Sequence, residues 1–138
     1  MKVAGGHSHK IAWAAGFIEG EGCFLMHKST LSPQLQVTQV VVAPLGLLQK
    51  LFGGHIYKDK RRVNRRQTHC WVVSGSRAQE VCKILLPFLT FKKSQAQIVL
   101  SFKIAPNGKG RPLRLSSKER RKRLNAWETL KSIHRKAP

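Results

Sequence analysis

The sequence is short of acid. Only six of its 138 residues are Asp or Glu, against 26 Lys and Arg, leaving a formal net charge of +20. Self-repulsion on that scale is tolerated mainly when a polyanion neutralises it, so nucleic acid is the expected partner. A merely solvated surface is the competing reading of the same charge. Cysteine is scarce as well. Cys23, Cys70 and Cys82 are odd in number and lack paired ligand spacing, which argues against a disulfide framework and a zinc knuckle. No apolar run approaches the roughly 18 residues of a membrane helix, so no membrane partner is expected. The N-terminal stretch MKVAGGHSHK has neither the apolar core of a secretory signal nor the pattern of a transit peptide. The expected location is a bacterial cytoplasm or an organelle, either chloroplast stroma or mitochondrial matrix. His7 and His9 have no third ligand, and no small-molecule cofactor is expected.

What is present supports a folded domain. Hydrophobic residues make up 41%, enough to build a core over residues 1–138 as one unit. A flexible N-terminus at 1–7 precedes a core at 8–104, a basic connector at 105–115 and a C-terminal basic helix at 116–138. Ser8 to Gly20 reads as a helix with Ile11, Ala14, Ala15 and Ile18 at helical spacing. Cys23 to Lys28 and Leu35 to Val42 read as strands around the turn TLSP, and Pro44 opens a short helix closed by Gly53 and Gly54. His55 to Lys60 and Thr68 to Ser74 form a second strand pair joined by the basic loop RRVNRRQ. Ala78, Val81, Cys82, Leu85 and Leu89 mark an amphipathic helix that Pro87 bends or ends. Lys92 to Ile104 continues as an apolar helix, although IVLSFKI fits a strand equally well. After the turn-rich PNGKGRP, Ser116 and Glu119 make a capping box for the last helix, whose Leu124, Trp127, Leu130 and Ile133 form a narrow seam. The rest of that helix is basic and lies either on phosphate or in solvent. The string is α+β, with a four-stranded antiparallel sheet that has one face on helices and the other free to read a ligand.

Two of the six acids, Glu19 and Glu21, sit two positions apart at the end of the first helix, inside AAGFIEGEG. Asp59, Glu80, Glu119 and Glu128 are scattered. Ala12, Gly16 and Gly20 recur every four residues and make a stripe without bulk, along which another backbone can approach closely. Two chains meeting along that stripe would bring two copies of the carboxylate pair together. Divalent metals held by carboxylates can supply the nucleophile and the electrophile that phosphodiester hydrolysis requires.

AAGFIEGEG resembles the signature of the LAGLIDADG homing endonucleases, with Glu at both Asp positions and Gly at the Ala between them. QVTQ at Gln36 to Gln39, HCWVVSGSR at His69 to Arg77 and LLPFLTFKKSQAQIVL at Leu85 to Leu100 resemble later blocks of the family in order and spacing. The resemblance covers roughly residues 8 to 104. It implies an αββαββα fold whose four-stranded saddle lies in the DNA major groove, with C-terminal helices added. It also implies an intron-encoded, Mg²⁺- or Mn²⁺-dependent endonuclease that cuts double-stranded DNA across the minor groove at a long near-palindromic site. One signature per chain implies a homodimer. An RNA maturase that has lost cleavage is the alternative within the family.

The resemblance also implies residue roles. Glu21 is the metal-binding catalytic carboxylate and the Gly20 carbonyl helps to hold the metal. Gln39 orients solvent, and Lys92 lies near the scissile phosphate. Glu19, with Ala12, Ala15, Gly16 and Gly20, belongs to the dimer interface. Alternation combined with the saddle assigns DNA contacts to Leu25, His27, Gln36, Thr38, Lys58, Lys60, Cys70 and Val72, with Arg61, Arg62, Arg65 and Arg66 on the basic loop. Two departures stand out: Glu for Asp at position 21 adds a methylene, and position 43 is Ala where some members carry a basic residue.

Overall fold

The computed structural model describes the backbone of residues 5–59, 66–104 and 115–136, and the side chains of all of these except 5–7 and 136. The first helix, α1 (Gly5–Glu21), starts three residues before the expected Ser8, inside the stretch read from the sequence as a flexible terminus. Strands β1 (Gly22–His27) and β2 (Ser32–Gln39) follow, then α2 (Ala43–Phe52), β3 (His55–Lys58) and β4 (His69–Ser74). Helix α3 (Gly75–Leu85) runs into a single 3-10 turn at Leu86–Phe88, followed by α4 (Lys93–Val99) and α5 (Ser117–Lys136). The sheet is antiparallel throughout, in the order β1-β2-β4-β3. This is the expected α+β arrangement.

Alternation decides which face the helices cover. Phe24, Leu35, Val37, Trp71 and Val73 are buried on one face, together with Ile11, Ala14 and Ile18 of α1 and Ala78, Val81 and Leu85 of α3. Trp71 is a core residue, and its indole Nε1 donates to the Gly53 carbonyl at 2.8 Å, so a large apolar ring is buried without an orphaned donor.

Two of the boundaries that differ from the sequence reading have a visible cause. The β1–β2 turn is tighter than TLSP: Leu31 takes a positive φ of 52° and donates its N–H to the His27 carbonyl at 2.7 Å, so β2 begins at Ser32 and includes Pro33. Proline is tolerated because β4 has already ended at Ser74, opposite Gln34, and position 33 has no partner on that side. The helix expected over Lys92 to Ile104 closes at Val99. Buried Gln79 intercepts it, donating to the carbonyls of Val99 and Phe102 while its own carbonyl accepts from the Ile104 N–H. At the last helix Ser116 caps as expected, accepting from the Glu119 N–H at 3.1 Å.

Candidate nucleic-acid cleavage site

The site is built around the end of α1. Gly22 begins β1 directly after Glu21, and it must be glycine for its own chain: a Cβ there would lie 2.7 Å from the Ile18 carbonyl oxygen. Gly16 and Gly20 are different. A Cβ at either position would meet nothing within 4 Å, so nothing in the described residues of this chain explains the missing side chains. Ala12, Gly16 and Gly20 are all exposed along one stripe. Ala15, assigned to the same interface from sequence, is 0% exposed and packs in the core with Ile11 and Ile18, so it cannot face a partner. The correction follows from helical periodicity, since position 15 shares its side with positions 11 and 18.

The two carboxylates have different surroundings. Glu19 is tied into its own chain: its side chain accepts from the Thr90 N–H at 2.9 Å, the Thr90 hydroxyl at 2.8 Å and the Lys92 N–H at 2.8 Å. Partial burial would raise its pKa, but the hydrogen bonds from Lys92 and Thr90 outweigh it and hold the carboxyl below the ordinary 4.5. Glu21 is exposed, and among the described residues no side chain pairs with it, despite the excess of cations. Lys92 reaches the same place from the other side, its Nζ donating to the carbonyls of Gly22 and Ile18. Gln39 ends β2; because Val37 pairs with Gly22, Gln39 comes level with the last turn of α1. The fold therefore brings Gly20, Glu21 and the Lys92 ammonium to one helix end, with Gln39 at the adjacent end of β2. Among the described residues no three potential ligands of the His, Cys, Asp and Glu types cluster within one chain.

Glu19 yields a test through pH. A carboxyl with a folded pKa below its unfolded value stabilises above the unfolded value and loses that contribution as pH falls through the folded one. Glu19→Gln should cost about 1 kcal/mol near neutral pH, the size of a missing helix cap. The gap between wild type and variant, measured by denaturant unfolding, should close progressively below about pH 4.5. A gap that is constant down to pH 3 would contradict the assignment.

On the open sheet face, cross-strand register puts Cys23, Gln36, Val72 and His55 in one row, and Thr38, Cys70 and Tyr57 in the next. Leu25 and Gln34 form a third row, His27 and Ser32 a fourth. The face assignments of Leu25, His27, Gln36, Thr38 and Val72 thus agree with the register. Two others do not. Lys58 pairs with His69 and shares the helix side with Ile56 and Trp71, whereas Tyr57, 47% exposed, holds the open face opposite Cys70. Cys70 does sit on the open face but is 2% exposed, its thiol 4.0 Å from Gln36 Oε1 and 3.8 Å from the Trp71 carbonyl, so it offers no surface to a base. The Cys70 thiol, and then burial, push the Tyr57 hydroxyl up to about 12, leaving it a neutral donor and acceptor. Arg66 is exposed, while Lys60, Arg61, Arg62 and Arg65 lie outside the described residues.

The sequence reading does not assign Ser32, Gln34, His55 and Tyr57 to this face. Period two counted back from Gln36 reaches Gln34 and Ser32; His55 and Tyr57 depend on a register that no local signal carries.

The chain is 33% identical over 110 residues to the DNA endonuclease I-CvuI of Chlorella vulgaris, a match covering 72% of this chain and 68% of that protein. A crystal structure of the homing endonuclease I-CvuI with its target in the presence of Ca matches at a TM-score of 0.52 and 29% identity, over 67% of this chain and 64% of that one. The archaeal intron-encoded homing endonuclease I-Vdi141I, complexed with DNA, shares the fold at a TM-score of 0.54 and 22% identity, over 67% and 65% of the two chains. The chain thus spans just under two thirds of the length of these solved chains. No protein-family model matches it.

Proposed function

The chain belongs to the LAGLIDADG homing endonuclease family, and we propose that it is a homodimeric, Mg²⁺-dependent endonuclease that cuts double-stranded DNA at a near-palindromic site. The observation that carries this reading is the exposed Glu21, without a cationic partner among the described residues of a +20 chain, beside a glycine stripe that the packing of those residues does not require. The donor set fits a hard divalent ion: Glu21 offers a carboxylate and Gly20 a helix-end carbonyl, both oxygens. One copy supplies too few ligands, and a two-fold axis along the glycine stripe would supply a second set.

Exposed aromatics support that axis. Trp13, 39% exposed, stacks on Phe17 with ring centroids 5.3 Å apart, and Phe91, 89% exposed, projects between the two residues tied to Glu19. Apolar surface at both ends of a small-residue stripe suits burial against a second copy.

Each residue of the chain then has a task. A bound Mg²⁺ supplies Lewis acidity toward the phosphate and lowers the pKa of a water. Glu21 and the Gly20 carbonyl would hold that ion, Gln39 would orient solvent through its amide, and Lys92 would present its ammonium to the phosphate. Glu19 keeps the Lys92 backbone in register with α1. DNA lies on the open face, read by Gln34, Gln36, Thr38 and Tyr57, whose donors and acceptors suit base edges in the major groove.

Cleavage of a randomised duplex library with Mg²⁺ and an EDTA control tests the reading. Recovery of one near-palindromic site cut with a fixed stagger is expected; uncut duplex alongside tight binding of structured intron RNA would favour a maturase. The register makes a finer prediction. Tyr57→Ala should relax base preference at one position of each half-site by about 1–3 kcal/mol, measured by selection on the library. Lys58→Ala should leave the preference unchanged, and the reverse pattern would reject the face assignment.

A further inference from the structure

Helix α5 packs beside the edge strand β1. Cys23, on the open sheet face, has its Sγ 3.6 Å from Nε2 of His134, near the end of α5. Lys28, just past the other end of β1, has its Nζ 5.4 Å from the ring centroid of Trp127. The helix therefore runs antiparallel to β1, with His134 turned toward the open face and Trp127 packed against the margin of the core. The core-facing side of α5 meets α4 and the segment after it: Arg123 donates to the Lys103 carbonyl at 3.1 Å, and Glu119, Lys122 and Arg123 line a hollow with Leu100 to Lys103.

At roughly 100° per residue, Arg120, Lys131 and Arg135 fall within about 60° of one another, next to Trp127 and His134. All three are exposed, and Lys131 Nζ lies 4.7 Å from the Trp127 ring centroid. Lys118 and Lys122 lie on the other flank, and Arg121 on the outward crest. Of the two acids on the helix, Glu119 is paired with Arg123, and Glu128 sits at the outer margin of the stripe. From Arg120 to Arg135 the stripe runs about 22 Å, the axial length of about six base pairs.

We propose that the flank of α5 bearing Arg120, Lys131 and Arg135 is a rail for the backbone phosphates of duplex DNA lying on the open face of the sheet. This rests on the endonuclease reading and adds a binding surface to it. The rail carries no sequence information; it contributes affinity through counterion release and fixes the duplex beside β1.

The test is binding of a random-sequence duplex of about 40 base pairs in Ca²⁺, followed by fluorescence anisotropy from about 50 to 200 mM salt. For the triple variant Arg120→Gln, Lys131→Gln, Arg135→Gln, the slope of log affinity against log salt should flatten by about 0.9 for each phosphate left without its cation, or about 2.7 per protomer. The double variant Lys118→Gln, Lys122→Gln should change the slope by less than about 1. Equal slopes for the two variants, with duplex still bound, would overturn the rail and leave the endonuclease reading intact. A wild type that binds no duplex would sink both. A flattened slope on structured RNA but not on duplex would overturn the duplex assignment. Should the triple variant melt early, Arg120→Gln alone, at an exposed position, should still flatten the slope by about 0.9, and an unchanged slope would reject the rail.

Discussion

Glu21→Gln is expected to slow cleavage at least about a thousand-fold, equivalent to about 4 kcal/mol of transition-state stabilisation, while the protein still binds its duplex in Ca²⁺. The substitution keeps shape and removes the charge that a divalent ion needs. Binding should persist or tighten, because an exposed carboxylate facing phosphate repels it. Structure sharpens the expectation, since Glu19 cannot take over. Its side chain already accepts three hydrogen bonds from Thr90 and Lys92, and turning it toward a metal would strand two backbone N–H groups. Single-turnover kinetics with Mg²⁺ would decide it. A Gln variant within tenfold of wild type would remove Glu21 from the metal site.

Gly16→Leu should leave the isolated fold intact and weaken self-association at least about a hundred-fold, near 3 kcal/mol, the upper range for overpacking a close contact. The reasoning is local. A Cβ at Gly16 meets no atom of the described residues within 4 Å, so a leucine there projects into space that the described part of the chain leaves open. Light scattering across a dilution series, with circular dichroism as a check on the fold, reads both halves of the prediction. A dimer unchanged by Gly16→Leu would show that the stripe is not where the two copies meet. Cleavage should fall with the dimer, because each protomer brings only one set of oxygen ligands.

The carboxylate pair, the glycine stripe and the open faces of β1 and β2 are legible in the sequence because they rest on local periodicity. Four-residue spacing puts Gly16 and Gly20 on one side of a helix, and two-residue spacing puts Leu25, His27, Gln36 and Thr38 on one side of a sheet. The same periodicity groups Ala15 with Ile11 and Ile18 and places it in the core, against its assignment to the interface. The assignment of Lys58 fails for a different reason. Strand β3 is four residues long and exposed at its edge, so its own pattern carries little hydrophobic contrast, and only pairing with β4 across the intervening loop sets its parity. Cys70 lies on the face that alternation assigns to it, but its burial depends on neighbours that sequence does not place beside it. The flank that α5 turns toward β1 is likewise invisible in the sequence, since it depends on contacts between residues more than a hundred positions apart, such as Cys23 with His134.

Growing crystals of the protein on its duplex with Mn²⁺ and recording anomalous diffraction would test most directly whether two copies share one centre. The expected result is metal density at a two-fold axis, bracketed by Glu21 and the Gly20 carbonyl of both protomers, with Lys92 and Gln39 facing the phosphates. Metal bound by a single protomer, or away from Glu21, would contradict it.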